Sequence, residues 1–409
     1  MRRFSQDWDS SHLLMMFDNV RRRHEWFTEN TSRRQLANAA VAFGQFALKR
    51  EIVRAWPVLV KVDISPLCNL RCTYCVHARP SDGDQSVAGE LLRLQSFKPA
   101  QKMSVAQFGS IVDEIRGKSM AVSLYYLGDP LVHPHLDDIC GLCADARLNS
   151  HISSNFSFRL SDERIASLVT SGLTHLTACV DGITQESYER TRVGGRLDVV
   201  LDNLRRVLEV RRELGLRRPK IEVQFIKFRH NLGEVDDAAA WSERHGVDQF
   251  TSYWGHLHNY TDLTTSNYGV FAPKSDRRLP QCTWPYFSMQ IKYDGDVIPC
   301  CYHRHGEQYA GDDADSRVVG NVFESSVWDV WNSREYQALR RLVARPRRAL
   351  AEPQLRTTFC DGCPTVFETD SNLRVQRGFD HDWDDLYTRD RRGRVWRKEP
   401  QSGPARGAV

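Results

Sequence analysis

Six short apolar runs, at 59–64, 121–127, 150–154, 175–180, 221–226 and 249–253, recur with helix-patterned segments between them. This alternation constrains the architecture more than any other feature of the chain. Val105, Phe108, Ile111, Val112 and Ile115 repeat at helical spacing, and so do Val199, Leu201, Leu204, Val207 and Leu208. Ser161 is a plausible cap for the helix that follows it, and 136–148 and 232–245 also read as helical. Strands and helices in alternation predict a parallel sheet of about six strands. Such strands bury both faces, as apolar runs require.

The flanks differ. Residues 1–50 read as helical and Arg-rich, with Phe43, Phe46 and Leu48 near their end, and Arg21-Arg22-Arg23 reads as a solvated face. Residues 78–102 carry Pro80, Gly83, Gly89 and Pro99 and read as a long connection. The rhythm stops after residue 254, and 255–280 are polar and irregular. A hairpin is predicted from 287–291, a turn at Asp294-Gly295, and 297–298. An amphipathic helix is predicted over 327–343, and the tail beyond about 385 has too little apolar content to order itself.

The chain has 409 residues, with 56 basic against 52 acidic side chains and a net charge of +4. That balance excludes a global field for nucleic acid. No apolar leader and no run of membrane-spanning length is present, so the cytoplasm is the expected compartment, with no membrane partner. Eleven cysteines in such a chain point to metal or redox chemistry rather than disulfides.

Cys68, Cys72 and Cys75 form a C-x3-C-x2-C run directly after the first apolar segment. Three thiolates on one short loop can hold three irons of a [4Fe–4S] cluster and leave the fourth iron open to a substrate or cofactor. Zinc would need a fourth ligand close by, which His77 could supply, so a zinc knuckle is the alternative at this point.

The 68–75 run resembles the signature of the radical S-adenosylmethionine (SAM) superfamily, and the resemblance extends from about residue 57 to residue 365. Tyr74 matches the aromatic position near the adenine. Leu127-Gly128-Asp129-Pro130 stands where the family has a Gly-Gly-Glu-type motif holding the methionine amino group; here Leu127 and Asp129 replace its first Gly and its Glu. Ser153-Ser154-Asn155 is similar to the family's Thr-Asn-Gly. Cys179-Val180-Asp181-Gly182, with Glu186, Tyr188 and Arg192, resembles the segment after the fourth strand, whose Arg contacts the SAM carboxylate in relatives. Ligands of parallel sheets sit beyond the carboxyl ends of the strands, and each of these motifs falls at such an end. The resemblance implies a partial (β/α)6 TIM-like barrel. It implies cofactor contacts from Tyr74, Gly128, Asp129, Ser154, Asn155, Asp181 and Arg192, and cluster ligation by Cys68, Cys72 and Cys75.

A second set, Cys282, Cys300, Cys301, Cys360 and Cys363, lies among Trp284-Pro285, Asp294-Gly295, Gly320-Asn321 and Trp331-Asn332-Ser333. It resembles the cysteine-rich SPASM or twitch domain, a small unit with a β-hairpin and a helix that carries auxiliary iron–sulfur clusters. Two all-cysteine clusters would need eight thiolates, and five stand here. One auxiliary [4Fe–4S] cluster on Cys282, Cys300, Cys360 and Cys363 is therefore expected, with the choice between Cys300 and Cys301 open. A structural zinc on four cysteines is the alternative. Cys140, Cys143 and Cys179 lie inside the strand–helix repeats, where packing is the simplest role. The expected division is a helical extension at 1–55, the barrel at 56–256, the SPASM/twitch domain at 257–370 and a tail at 371–409.

The resemblance implies that a reduced cluster cleaves SAM to a 5′-deoxyadenosyl radical, which removes hydrogen from an unactivated C–H bond. Loss of an electron to the auxiliary cluster then gives dehydrogenation. Hydrogen return from a cysteine, with Cys301 and Cys179 as candidates, gives epimerisation. Either outcome needs a low-potential electron donor such as flavodoxin or ferredoxin. The N-terminal 55 residues are short for a peptide-binding module, so a small polyhydroxylated substrate is expected, with a peptide-modifying maturase as runner-up. A non-catalytic zinc protein is the alternative from another class.

Overall fold

The computed structural model describes residues 2–6, 20–78, 97–254, 270–300, 317–363, 365–369, 387–389 and 395–397. The anticipated strands form one contiguous parallel block: β2 (Leu59–Val62), β3 (Ala121–Ser123), β4 (Asn149–Ser154), β5 (His175–Cys179), β6 (Lys220–Lys227) and β7 (Gln249–Trp254). The sheet continues past both edges. β1 (Arg2–Gln6) lies parallel on β7, and β9 (Ser288–Ile291) lies parallel on β2. Only the last strand of this nine-stranded sheet, β10 (Val297–Ile298), runs antiparallel. The order β1-β7-β6-β5-β4-β3-β2-β9-β10 is that of an open barrel, with β8 (Val270–Pro273) in a separate two-stranded sheet.

Helices cover the outside of the parallel block. Ser104 and Gln107 close a capping box on Val105–Ile115, whose Phe108, Ile111, Val112 and Ile115 are buried as their spacing predicts. Ser161 caps Asp162–Thr170 by accepting from the Arg164 amide. Leu197–Glu213 buries Leu197, Val200, Leu204, Val207 and Leu208. Cys140 and Cys143 are both fully buried on Leu136–Asp145, where burial pushes the Cys140 thiol up to about 12. They are packing side chains.

Two expectations for the N-terminal region need correction. Residues 1–50 are not helical throughout, because Arg2–Gln6 is a strand. Its partner β7 lies far away in the sequence, so no local pattern announces it. Nor is Arg21-Arg22-Arg23 a solvated face. Arg21 is exposed, but Arg23 is buried and Arg22 reaches into the barrel.

The C-terminal third follows its predicted hairpin, with Gly295 at φ +89° in the turn. The single helix expected over 327–343 is two, Val327–Trp331 and Arg334–Ala344. The break falls where the Ser333 side chain accepts from the Tyr336 amide and starts a new helix. Arg340, fully buried, donates to Pro285 O (2.8 Å), Trp331 O (2.7 Å) and Glu51 O (3.1 Å). Phe46, near the end of helix Arg33–Ala47, packs on Tyr286 and Phe287 with ring centroids 5.4 and 5.6 Å apart. No helix among the described residues is long and apolar enough to cross a membrane.

Candidate radical SAM and auxiliary cluster sites

The cysteine loop follows β2 and is held by its backbone. Arg71 N donates to Val193 O (3.1 Å), Thr73 N to Thr191 O (3.0 Å) and Cys75 N to Cys72 O (3.1 Å). Across the loop, Asp129 N donates to Leu67 O (2.8 Å), which presses Gly128 against the chain leaving β2. A Cβ at Gly128 would stand 2.0 Å from Ser65 O and 2.6 Å from Leu67 O. Neither carbonyl is a flexible side-chain end, so the strand ends must separate. Gly128→Ala is expected to destabilise the chain by about 1–3 kcal/mol or more and to lower iron uptake at the loop. Thermal unfolding and iron per chain measure both, and wild-type values in the variant would contradict this reading.

Asp129 is buried and its carboxyl is pushed up to about 6 by that burial. It accepts from Leu131 N (3.0 Å), Asn155 N (2.7 Å) and the Ser154 hydroxyl, which lies 2.9 Å from both carboxylate oxygens. One hydroxyl proton cannot satisfy both oxygens, so the carboxylate keeps acceptor capacity for a further donor. Asn155 Nδ2 donates to Asn69 Oδ1 (2.8 Å) and lies 3.7 Å from Cys68 Sγ.

Asp181 is fully buried. Its Oδ2 accepts from Tyr74 OH (2.9 Å) and Arg192 Nε (2.6 Å), and its Oδ1 from Ile226 N (2.9 Å). This carboxylate ties the cysteine loop, the segment after β5 and β6 together. Arg192 Nη1 then lies 4.0 Å from Cys72 Sγ, and its guanidinium 5.4 Å from the Tyr74 ring centroid. Phe228 lies beside the Tyr74 ring at 5.4 Å.

None of the ten described cysteines is joined in a disulfide. Burial pushes Cys75 up to about 12 and raises Cys68 and Cys72. Compensating cations would favour their thiolates, and the Arg192 and Asn155 donors beside the sulfurs fit such thiolates. In the second set Cys300, Cys360 and Cys363 are buried, and Cys363 N donates to Cys360 O (3.2 Å). Burial first, and the neighbouring Cys363 second, push the Cys282 thiol up to about 12, while Tyr336 is raised by burial first and to a smaller extent by Cys300 and Cys360. Among the described residues no three Cys, His, Asp or Glu side chains already converge on a single metal ion. Cys301 lies outside the described residues, as do most of the 78–102 connection, most of 255–280 and most of the tail. The tail's described residues, Tyr387–Arg389 and Val395–Arg397, pair as antiparallel strands, against the expectation that nothing beyond about 385 orders itself.

Cys179, at the end of β5, is buried with its sulfur 3.5 Å from Ser153 Oγ and 3.8 Å from Gln224 Oε1. Below it lies a polar cluster that the reading of the sequence missed. Glu222 on β6, fully buried, accepts from Arg22, Arg23 (2.8 Å), Thr177 Oγ1 (3.1 Å) and Thr251 Oγ1 (2.5 Å). The available signal was alternation: His151/Ser153, His175/Thr177/Cys179, Glu222/Gln224 and Gln249/Thr251/Tyr253 are polar at every second strand position. A cavity of about 450 Å³ opens near Trp26, His175, Arg217 and Lys220, but its main charges are paired, Lys220 to Glu25 (2.9 Å) and Arg218 to Glu29 (3.2 Å).

Residues 62–216 match the radical SAM superfamily, and residues 282–364 match the SPASM iron–sulfur cluster-binding domain. The chain carries a radical SAM domain and, C-terminal to it, a SPASM domain. The two domains imply a [4Fe–4S] cluster, SAM and an auxiliary iron–sulfur cluster. A Pyrococcus furiosus protein described as the tungsten-containing aldehyde ferredoxin oxidoreductase cofactor-modifying protein is 22% identical over 67% of this chain and 81% of its own. The mycofactocin maturase of Mycobacterium ulcerans is 26% identical over 54% of this chain and 57% of its own. The fold is shared with Streptococcus suis SuiB bound to S-adenosylmethionine, with a TM-score of 0.52 at 15% identity, over 80% of this chain and 78% of that one.

Proposed function

We propose that this chain is an oxidoreductase or epimerase that takes hydrogen from a C–H bond of a small polyhydroxylated molecule, a sugar or aminocyclitol of a secondary-metabolite pathway. The polar barrel lumen carries this reading. Ser153, Thr177, Cys179, Gln224 and Tyr253 line alternate strand positions and offer hydroxyl, thiol and amide groups, which suit a substrate rich in hydroxyls.

Cys68, Cys72 and Cys75 would hold the SAM cluster, and Cys282, Cys300, Cys360 and Cys363 the auxiliary one. Tyr74, Gly128, Asp129, Ser154, Asn155, Asp181 and Arg192 would hold SAM. When bound, these groups supply one-electron cleavage of SAM, a hydrogen-abstracting radical and an electron acceptor. The protein's part is to orient and enclose. Asp181 locks the Arg192 and Tyr74 side chains, and Asp129 braces the ends of β3 and β4. Cys179, or Cys301, would return hydrogen in an epimerisation. The low-potential donor this chemistry needs, a flavodoxin or ferredoxin, places the enzyme in the cytoplasm.

A second reading, a peptide maturase, is favoured by the solved SuiB complex with its precursor peptide SuiA, which shares this fold at 15% identity and a TM-score of 0.52. The reconstituted, reduced enzyme should cleave SAM above background with sugars or aminocyclitols. Stimulation by a precursor-peptide pool alone would replace the first reading by the second.

A further inference from the structure

The cluster around Glu222 has more cation than its carboxylate can balance. Arg23 is used up: Nη1 lies 2.8 Å from Glu222 Oε2 and 3.0 Å from His175 Nε2, and Nη2 lies 3.3 Å from His151 Nε2. Burial, then the neighbouring Arg23, holds both histidines in the neutral form, His175 down to about 3 and His151 well below its ordinary value. Arg22 is a second guanidinium on the same carboxylate. It meets Glu222 Oε1 and the Tyr253 hydroxyl, its guanidinium lies 5.2 Å from the Tyr253 ring centroid, and its buried Nε has no hydrogen-bond partner among the described residues. Tyr125, two residues past β3, is also within its electrostatic reach, so Arg22 stands between opposite walls of the barrel. The Lys61 ammonium lies 4.9 Å from the Tyr125 ring centroid and 5.8 Å from that of Trp284. Among the described residues, two guanidiniums around one carboxylate leave one positive charge over.

This surplus cation lies below the row formed by Ser153, Cys179 and Gln224, because Glu222 precedes Gln224 by one inward-facing position on β6. A substrate standing on that floor would point its other end toward Tyr74 and Arg192. We propose that Arg22 is a specificity-determining residue that receives an anionic group of the substrate, a carboxylate or a phosphate. The inference rests on the small-substrate reading and deepens it to an anionic polyol. A planar guanidinium with free N–H groups suits both oxyanions. Burial, with Arg23 next, lowers the Arg22 pKa to about 10, the direction an unbalanced cation produces.

The test is calorimetric titration of the SAM-loaded, cluster-replete enzyme with inorganic phosphate, with D-gluconate and with uncharged D-glucitol. One of the two anions should saturate a single site. Arg22→Met should weaken it by about tenfold or more, and Arg22→Lys by less, since a lysine keeps the charge and loses the fork. Glucitol should not distinguish the three proteins. Phosphate preference identifies a phosphorylated substrate, and gluconate preference a sugar acid. Iron per chain and thermal midpoint establish that the variants are loaded and folded. If Arg22→Met does not load, the wild type still decides: the preferred anion should slow phenylglyoxal modification of Arg22, read by peptide mapping. The proposal is overturned if wild type binds neither anion, if loaded Arg22→Met binds them unchanged, or if the anion gives Arg22 no protection. No readout requires turnover, so failure of the sugar and peptide assay leaves this test intact.

Discussion

Changing Cys68, Cys72 and Cys75 together to Ala is expected to lower iron from about eight to about four atoms per chain, with labile sulfide in step. SAM cleavage should fall to background. The fold should survive, because the loop is tied by backbone bonds, Arg71 N to Val193 O and Thr73 N to Thr191 O, that need no sulfur. Circular dichroism and thermal unfolding check that point alongside the iron assay. The remaining iron should disappear when Cys282, Cys300, Cys360 and Cys363 are changed instead of retained. Wild type holding only about four irons, falling to none in the triple variant, would remove the auxiliary cluster and the electron-acceptor argument for dehydrogenation. Zinc without sulfide would favour the non-catalytic alternative.

The second large effect is expected at Glu222. Glu222→Gln leaves Arg22 and Arg23 facing each other without a counter-charge, which should cost about 3–5 kcal/mol. Adding Arg23→Met to that variant should restore part of the loss, since the remaining like-charge pair is then gone. An unchanged unfolding midpoint in Glu222→Gln would contradict the buried network. The same cluster sets an acid limit. Surrounding cations hold Glu222 well below its ordinary range against its burial, and His151 and His175 are likewise depressed. All three bind fewer protons folded than unfolded, so their contribution is complete at neutral pH. It is lost on acidification, starting near the unfolded histidine value of about 6.5 and continuing through the unfolded glutamate value of about 4.3. Each histidine should add about 1.4 kcal/mol per pH unit between its two values. Unfolding of the cluster-free chain between about pH 6 and 5, below the unfolded histidine value, should show this slope. His175→Gln should reduce it, and a flat profile would exclude the mechanism.

Much of this molecule could be read in advance, for identifiable reasons. The strands β2 to β7 were legible because their apolar residues recur between helix-patterned segments, although β4 to β7 turn an alternate polar row into the lumen. The cysteine sets were legible because cluster chemistry fixes both residue type and spacing. β1 was not legible, because its only cause is an edge of β7 more than two hundred residues away. The Arg22 and Arg23 positions were missed because a run of arginines carries no local sign of the carboxylate that will bury it. That sign stood at Glu222, inside a segment read simply as apolar. Likewise Ser333, a helix start in the middle of an amphipathic pattern, was hidden by apolar periodicity that continues through the break.

The position of β9 has a consequence for electron flow. Cys282 precedes β9 by a few residues, and β9 is hydrogen-bonded to β2, whose other end leads into the Cys68 loop. Neighbouring strands stand about 4.8 Å apart, so Cys282 and the Cys68 loop are attached to adjacent strands of one sheet. Clusters held at these two points would keep a separation set in part by that hydrogen-bonded pairing, with no domain docking needed to bring Cys282 and the loop into register.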